Sequence, residues 1–570
     1  MLKRRARYLA VGSAGLLAMS LGLAACGGGS DDEPEGLILV AETPIDHLDP
    51  QRIYVGADIA NMTRLVYRQL VAYPMTDDGD GLPIPDLATD TGTSKKGARE
   101  WSFTIKDGVK WQDGSDITCE DFKYGASRNF AVSEITGGPG TAYIVPRLAI
   151  PKNKDGSSKY PGPYTAKPDE QALFDKAVSC KGNTITYRFT DPWADFPLAI
   201  ASLHMMDPYK ESFDKGAKND DVIFSNGPYK TKDWDTKKGG TFVRNDNYDA
   251  ATDTPDQLRQ AKPDTIYYKY GEKPETMYKR LINDSGDAKY TVSAQRRLPP
   301  SLFSEISKAK DRYVQVESPY VDYLVPNQAR LTDPMVRRAL AVSTDLNAWI
   351  AAGGGERAFK PADSIVNPAV QGYVPNPAFK DRNLDGDVAE AKALLKKAGV
   401  KTPVKIKFSY PQSDTLDKQA AALVQTWGKA GFDVALDPLG EEYYSKIQKP
   451  GNDSDLIWGG WGADWPSATT VTAALFDGRQ INKGSTGQNY GQYQNKKVDA
   501  LFDSAIKAPD LDAQTKFLQQ ADAQLGEDTA YIPMEISIFN WIHGSKVENF
   551  TTSNASSKFV ELGPIDVDVK

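Results

Sequence analysis

Histidine and cysteine are scarce in this chain, with three of each among its 570 residues. The histidines, His47, His204 and His543, are far apart in sequence, and the cysteines form no C-x-x-C pattern. Zinc sites collect such ligands at short, regular spacings. We therefore expect no metal site and no bound cofactor.

Two further function classes are excluded by what the sequence lacks. The net charge is −8 at pH 7, and no basic run with interleaved aromatic residues follows the N-terminal segment. This argues against a nucleic-acid partner. After residue 25 there is no G-x-S-x-G motif and no Cys–His pairing, so we expect no enzyme. A general-acid role for Asp464 is the remaining enzymatic alternative.

The composition is that of an ordinary soluble globular protein, with 40 % hydrophobic and 25 % charged residues. A chain of this length exceeds what a single compact core accommodates. We therefore expect two or three lobes.

The N-terminus has the pattern of an export signal. A basic head, residues 3–7, precedes the apolar run Leu9–Leu23, which is too short and too rich in small residues for a good membrane span. The run ends in Leu-Ala-Ala-Cys-Gly, which resembles a bacterial lipobox and implies cleavage before Cys26 and lipid attachment to its thiol. An ordinary signal peptide with a chance cysteine is the alternative, and the route, Sec or twin-arginine, stays open.

The segment that follows the predicted cleavage site is polar and rich in glycine. Residues 26–36 contain no apolar side chain that could pack, so we predict a flexible tether.

Export also bears on the two remaining cysteines, Cys119 and Cys180. Thiols outside the cell tend to oxidise in pairs, so we predict a disulfide between them.

One stretch stands out, W-G-G-W-G-A-D-W-P at residues 458–466. Three indoles, those of Trp458, Trp461 and Trp465, surround the single carboxylate of Asp464, and we expect a short strand to end where the glycines begin. Such a stretch can hold an acid at the mouth of an aromatic hollow, where it would pair with a ligand amine. The alternative is that the tryptophans are core and Asp464 caps a turn.

Hydrophobic periodicity predicts alternating strands and helices. We expect strands at 37–41, 70–73, 404–408 and 432–436, and helices at 57–69, 387–398, 415–430, 496–507 and 512–527. Residues 137–168, rich in Gly, Pro, Lys and Ser, are predicted to be a surface excursion. Alternation in W-S-F-T-I at 101–105 predicts a half-buried strand, and Thr118-x-x-Asp121 predicts a helix start.

Several segments, taken in order, resemble a known family. They are L-D-P at 48–50, P-D-L-A-T-D at 85–90, W-S-F-T-I-K-D-G-V-K-W at 101–111, S-N-G-P-Y at 225–229, D-P-M-V-R-R-A-L at 333–340 and W-G-A-D at 461–464. Together they are similar to the family-5 extracellular solute-binding proteins, the oligopeptide- and dipeptide-binding class of ATP-binding-cassette (ABC) importers.

The resemblance implies an α/β, two-lobed fold of the periplasmic-binding-protein type (class II, cluster C) with an inserted subdomain. We assign lobe I to residues 37–70, 190–321 and 532–570, the insert to 71–189 and lobe II to 322–531. Two crossing segments, near Tyr323–Asn327 and Ile532–Glu535, would join the lobes.

The resemblance also implies a function. The protein would be a monomer, anchored by lipid at the outer face of the cell membrane, that closes on a peptide between its lobes and delivers it to a permease and ATPase. In peptide-binding relatives the acid that matches Asp464 holds the ligand's α-amino group, and the tryptophan that matches Trp461 lies beside side-chain pockets.

One departure from the family pattern leaves the ligand open. Some oligopeptide receptors place an arginine six residues before the acid, where it meets the ligand carboxylate, and here that position is Trp458. Recognition of a carboxylate must therefore differ or be absent. A cleft with three tryptophans would also suit sugar rings, so an oligosaccharide receptor is the rival hypothesis, and a ligand sensor without transport is a third. Nickel or haem carriage is disfavoured by the scarcity of histidine.

Overall fold

The computed structural model describes residues 36–568, apart from 77–80, 255 and 295–296. The predicted signal peptide, the predicted lipidation site Cys26 and nearly all of the predicted tether lie outside the described residues. Within the described part, no helix combines the length and apolar character needed to cross a membrane.

Strands and helices alternate along most of the described chain. The strands are β1 Leu37–Ala41, β2 Val71–Ala72, β3 Ile84–Pro85, β4 Thr93–Lys95, β5 Glu100–Thr104, β6 Val178–Lys181, β7 Thr184–Arg188, β8 Tyr229–Asp235, β9 Gly239–Arg244, β10 Thr265–Tyr270, β11 Thr291–Ser293, β12 Tyr313–Glu317, β13 Tyr320–Pro326, β14 Phe359–Pro361, β15 Val404–Pro411, β16 Phe432–Leu439, β17 Leu456–Gly462, β18 Ile532–Ile542, β19 Val547–Glu548 and β20 Asp566–Val567. The α-helices are α1 Gly56–Leu65, α2 Cys119–Arg128, α3 Gly140–Tyr143, α4 Pro168–Ala177, α5 Phe196–Ser202, α6 Pro274–Asn283, α7 Pro334–Val342, α8 Leu346–Gly353, α9 Val388–Ala398, α10 Asp414–Ala430, α11 Tyr443–Ile447, α12 Thr472–Phe476, α13 Lys496–Ile506 and α14 Leu511–Glu527.

Most predicted elements are confirmed, but α1 is shorter than its periodicity suggested. The helix was expected to reach residue 69, whereas it ends at Leu65. The backbone N–H of Arg68 donates to the side chain of Asn226, and that of Gln69 donates to the carboxylate of Asp86. These side chains replace the carbonyls that a longer helix would have supplied, so the chain leaves the helical path.

Strand β17 corrects the interpretation of the glycines in the 458–466 stretch. The strand was expected to stop at them, but it continues through Gly459 and Gly460 to Gly462, paired with β13. A Cβ atom at Gly459 would lie 2.6 Å from the ring of Tyr323, and one at Gly462 would lie 2.6 Å from the ring of Tyr320. The glycines therefore make room for tyrosines on the neighbouring strand rather than ending the strand.

Three main sheets organise the molecule. A five-stranded sheet, in the order β11-β1-β10-β9-β8, belongs to the first lobe, and a four-stranded sheet, β4-β5-β7-β6, belongs to the insert. The third sheet has the order β12-β18-β13-β17-β15-β16, with β14 paired to β18. In the insert, Cys119 at the start of α2 and Cys180 in β6 are joined by a disulfide, with their Cα atoms 5.9 Å apart.

Buried side chains form separate cores, which gives the fold its two-lobed α/β character. The second-lobe core takes its residues from between Tyr323 and Met534. The first-lobe core collects residues from β1, α1, β10 and the C-terminal segment. The core of the insert includes residues from Leu70 to Met206 and therefore reaches beyond residue 189, the predicted end of this subdomain.

Two long strands connect the lobes. In β18, Ile532 and Met534 belong to the second-lobe core, whereas Phe539 and Trp541 belong to the first-lobe core. Between them, Ile536 packs with Val321 of β13 and Ala362 in a small cluster of its own. Any rotation of the lobes about each other must bend this pair of strands, because both run from one side of the cleft to the other.

Candidate functional site

A cavity of about 350 Å³ lies where the two lobes and the insert meet. The first lobe lines it with the start of α1 and with part of the C-terminal segment, and the second lobe lines it with the end of β17 and the turn after it. The lining residues used below are Tyr54, Gly56, Tyr320, Ala369, Trp461, Asp464 and Trp465. The volume is near the lower end of the range typical of ligand sites, about 300–1,000 Å³.

Asp464 points into the cleft from the turn after β17. Its backbone N–H donates to Oγ1 of Thr470 at 3.2 Å, which fixes the turn. Its carboxylate accepts a hydrogen bond from the hydroxyl of Tyr54 at 2.9 Å and another from the hydroxyl of Tyr143. Burial raises the pKa of Asp464, and the two phenol donors oppose that rise because they stabilise the ionised form.

The two tyrosines were not predicted. Tyr54 precedes α1 and lies 410 residues from Asp464 in the sequence. Tyr143 ends α3, inside the predicted surface excursion, and is 321 residues from Asp464. No local pattern in the sequence pairs either tyrosine with the acid, because these contacts exist only when distant segments face each other.

Trp461 and Trp458 have different surroundings. Trp461 lines the cavity, and its Nε1 donates to the carbonyl of Thr470 at 2.7 Å, which holds the ring in place. Trp458 does not line the cavity, although both indoles pack against the second-lobe core. Because β17 continues through the glycines, residues three apart point to opposite faces of the sheet. The predicted ring of three indoles around Asp464 is therefore wrong for Trp458.

Trp465 lies at the cavity wall, but most of its surface is buried in the core of the insert. It is 1 % exposed, and its ring meets that of Tyr143 edge to face at 4.8 Å. Its Nε1 donates to Oδ2 of Asp195 at 2.7 Å, and the hydroxyl of Thr469 donates to the same oxygen at 2.8 Å. We call Trp465, Thr469 and Asp195 the interlobe link, since it ties the second lobe to the insert.

A comparison with protein families identifies the chain. Residues 83–483 match the model of the bacterial extracellular solute-binding proteins, family 5. The chain belongs to this family. The sequence-based recognition is thus confirmed.

Individual relatives cover most of this family-5 protein. The oligopeptide-binding protein OppA of Bacillus subtilis (strain 168) is 24 % identical over 563 residues, covering 94 % of this chain and 95 % of the relative. An Escherichia coli (strain K12) protein described as "Probable deoxycholate-binding periplasmic protein YgiS" is 25 % identical over 497 residues, 85 % of each chain. Each of these relatives is named as a binding protein, and the chain is accordingly a binding protein and not an enzyme.

Solved structures agree on the fold of this family-5 protein. The structure of clavulanic acid biosynthesis oligopeptide binding protein 2 superposes with a TM-score of 0.81 at 23 % identity, covering 94 % of this chain and 96 % of that one. The unliganded open form of the periplasmic murein tripeptide binding protein MppA gives 0.72 at 19 % identity, covering 93 % and 97 %. The two-lobed architecture with an insert is thereby confirmed.

Proposed function

We propose that this protein captures short peptides between its lobes by hinge closure and delivers them to the permease and ATPase of an ABC importer. It would do so as a monomer held at the outer face of the membrane by lipid on Cys26. Family membership and the names of the peptide-binding relatives support the proposal. We retain the lobe boundaries given above, with the insert extended to include Trp193–Met206, whose buried side chains join its core.

The observation that carries the proposal is the position of Asp464. The acid belongs to the second lobe and faces donors of the first lobe and the insert, so the closed arrangement surrounds it with polar hydrogens. A ligand ammonium beside this carboxylate would add an opposite charge in a place of restricted water, where an ion pair is strong. A ligand shifts the lobes toward closure only by its greater affinity for the closed form. An ammonium group that contacts Asp464 on one side of the cleft and groups of the first lobe on the other would provide this difference in affinity between the closed and open forms.

A peptide fits the cavity better than an oligosaccharide. Of the three tryptophans, Trp458 does not line the cavity and Trp465 is almost fully buried, so only the partly exposed Trp461 offers a ring to the ligand. The aromatic platform that favoured sugar rings is therefore much reduced. An extended peptide can also pair its main chain with backbone groups along the cleft, which holds many sequences without selecting side chains.

Replacement of the acid tests the proposal. Asp464→Asn keeps the shape but removes the charge, so we expect peptide affinity to fall by about 1.5–3 kcal/mol, the contribution of a hydrogen bond to a charged group. Calorimetric titration with a tripeptide pool measures the loss. Asp433→Asn, an exposed acid of the same lobe on β16, is the matched control and should bind like the parent. If Asp464→Asn binds peptides unchanged, the amine is held elsewhere.

The anchor has its own test. Cys26→Ser removes the thiol that would carry lipid, so we expect the exported protein to leave the membrane fraction and accumulate in the medium or periplasm. Fractionation followed by immunoblotting measures the distribution. Retention of the serine variant in the membrane would contradict lipid anchoring at Cys26 while leaving the peptide hypothesis intact.

A further inference from the structure

The cavity wall carries a single formal charge among the residues that the structure describes, that of Asp464. The rest of the described lining consists of aromatic, aliphatic, glycine, proline, serine and asparagine residues. A ligand with an ammonium group at one end and a carboxylate at the other would bring two opposite charges into this space. Asp464 can pair with the ammonium group. No lining residue that the structure describes carries the positive charge that would pair with the carboxylate.

Two arginines close to the cavity are already engaged. Arg64 reaches a small hollow beside the cavity, but its Nε lies 2.8 Å from the carboxylate of Glu561 and its Nη1 donates to the carbonyl of Tyr73 at 3.0 Å. Arg147 interacts electrostatically with Asp195, stacks over the ring of Trp193 at 4.5 Å and does not line the cavity. Neither guanidinium is placed to meet a ligand carboxylate in this arrangement.

The start of α1 adds a partial positive charge to the wall at Gly56. A helix N-terminus is equivalent to about half an elementary charge, less than a carboxylate requires. The carboxyl group of Asp58 lies in the same turn, and the N–H groups of Asp58 and Ile59 already donate to the carbonyl of Val55. This end of the cavity suits a neutral carbonyl dipole better than a full negative charge.

We propose that the cleft selects short ligands with one ammonium end and no carboxylate, that is, peptides whose C-terminus is blocked, as in a peptide amide. The inference rests on the proposed function, because it takes Asp464 as the partner of the ligand amine. A carboxylate drawn into the closed cavity loses its hydration, and the lining residues that the structure describes offer it no cation in return. An amide in its place costs much less to bury, since its carbonyl and N–H groups can be satisfied by backbone and hydroxyl groups.

The test compares tripeptide pools that differ only at their ends. The purified protein is titrated separately with a pool of free acids, the same pool as C-terminal amides, and the amides with acetylated N-termini, and complexes are counted by native mass spectrometry. We expect the amides to bind at least about tenfold more tightly than the acids, the scale of one unpaired buried charge. Acetylated amides should not bind, because they lack the ammonium group.

A gain-of-function variant sharpens the comparison. Ala369 lines the cavity, and its backbone N–H donates to the side chain of Asn367 at 2.9 Å, a contact that a new side chain leaves intact. Ala369→Lys places a cation at the wall and should move the preference toward the free acids. Ala378 has the same local setting, since its N–H donates to the side chain of Asn376 at 2.9 Å, but it lies outside the cavity. Ala378→Lys should keep the parent's preference for amides.

The outcomes separate the two hypotheses. If the free acids bind as tightly as the amides and the acetylated amides do not bind, the proposed preference for blocked peptides is wrong. Recognition of the ligand amine by Asp464 would still be supported. Failure of both free-amine pools would overturn the proposed capture of short peptides. Equal binding of the acetylated pool would overturn recognition of the ligand amine by Asp464, and with it the inference drawn here. A preference for amides that Ala369→Lys reduces and Ala378→Lys does not would support the inference.

Discussion

Two acids of the second lobe, Asp464 and Asp522, have similar chemistry but different neighbours. Each carboxylate accepts a hydrogen bond from a tyrosine hydroxyl, and burial raises the pKa of each. Asp522 is surrounded by its own lobe: Tyr531 donates at 2.7 Å, Asn376 at 3.0 Å and Ser364 at 3.1 Å. The phenol donors of Asp464 come from the first lobe and the insert.

The difference shows how one interaction can serve two purposes. The donors of Asp522 are present whenever the second lobe is folded, so its hydrogen bonds contribute to the stability of that lobe. The donors of Asp464 are present only when the lobes are together, so its hydrogen bonds report on closure. The upward pKa shift and the tyrosine donor are common to both acids, so they do not distinguish a structural acid from one in a binding site, whereas the origin of the partners does.

The largest expected contrast is in stability. Asp522→Ala leaves several buried donors unpaired, so we expect the free energy of unfolding to fall by about 2–4 kcal/mol. Asp464→Ala breaks contacts only across the cleft and should cost less than about 1 kcal/mol. Urea denaturation of both variants measures the difference. Equal losses would mean that the cleft contacts of Asp464 stabilise the fold as much as a core network does.

A smaller effect concerns the pH dependence of peptide binding. An ammonium needs the ionised form of Asp464, so affinity should fall as the pH is lowered through the pKa of this acid. Tyr143→Phe or Tyr54→Phe removes a donor that stabilises the carboxylate, which raises its pKa further and moves the loss of binding to higher pH.

At neutral pH we expect these variants to lose roughly three- to tenfold in affinity, the contribution of one hydrogen bond. Titrations between about pH 4 and 8 follow the profile. Tyr531→Phe removes the equivalent hydroxyl at Asp522 and serves as the control, with reduced stability and an unchanged binding profile. A profile that stays at the parent's position in both cleft variants would show that the phenols do not control the ionisation of Asp464.

The smallest expected effect is at the interlobe link. Thr469→Val removes one hydroxyl that donates to Asp195 across the cleft, which should weaken peptide binding by about threefold or less and increase the fraction of open molecules. Thr472→Val is the matched control, because its hydroxyl donates to the carbonyl of Ala468 within the second lobe. Titration measures the peptide affinity, and the radius of gyration from X-ray scattering measures the fraction of open molecules. A larger change in Thr472→Val would contradict the assigned role of the link.

The sequence by itself determined the elements and the family. Helices α9 and α10 were predicted nearly to the residue. In the structure the side chains of Asp387 and Ser413 cap their starts, and Gly399 and Gly431 end them in the left-handed conformation, so both ends are marked within the chain itself. The W-G-A-D segment likewise pointed to Asp464 as a cleft residue. Signals of this kind depend on residues a few positions apart, so they can be recognised in the sequence without knowledge of the fold.

Only the tertiary structure decided what surrounds that acid. Tyr54 and Tyr143 reach Asp464 from hundreds of residues away, and Trp458 points away from Trp461 because the glycines let β17 continue beside the tyrosines of β13. Such contacts arise from the packing of distant segments, which no local pattern encodes. The chemistry of the cleft is therefore set by which lobe supplies each neighbour, and that assignment exists only in the folded molecule.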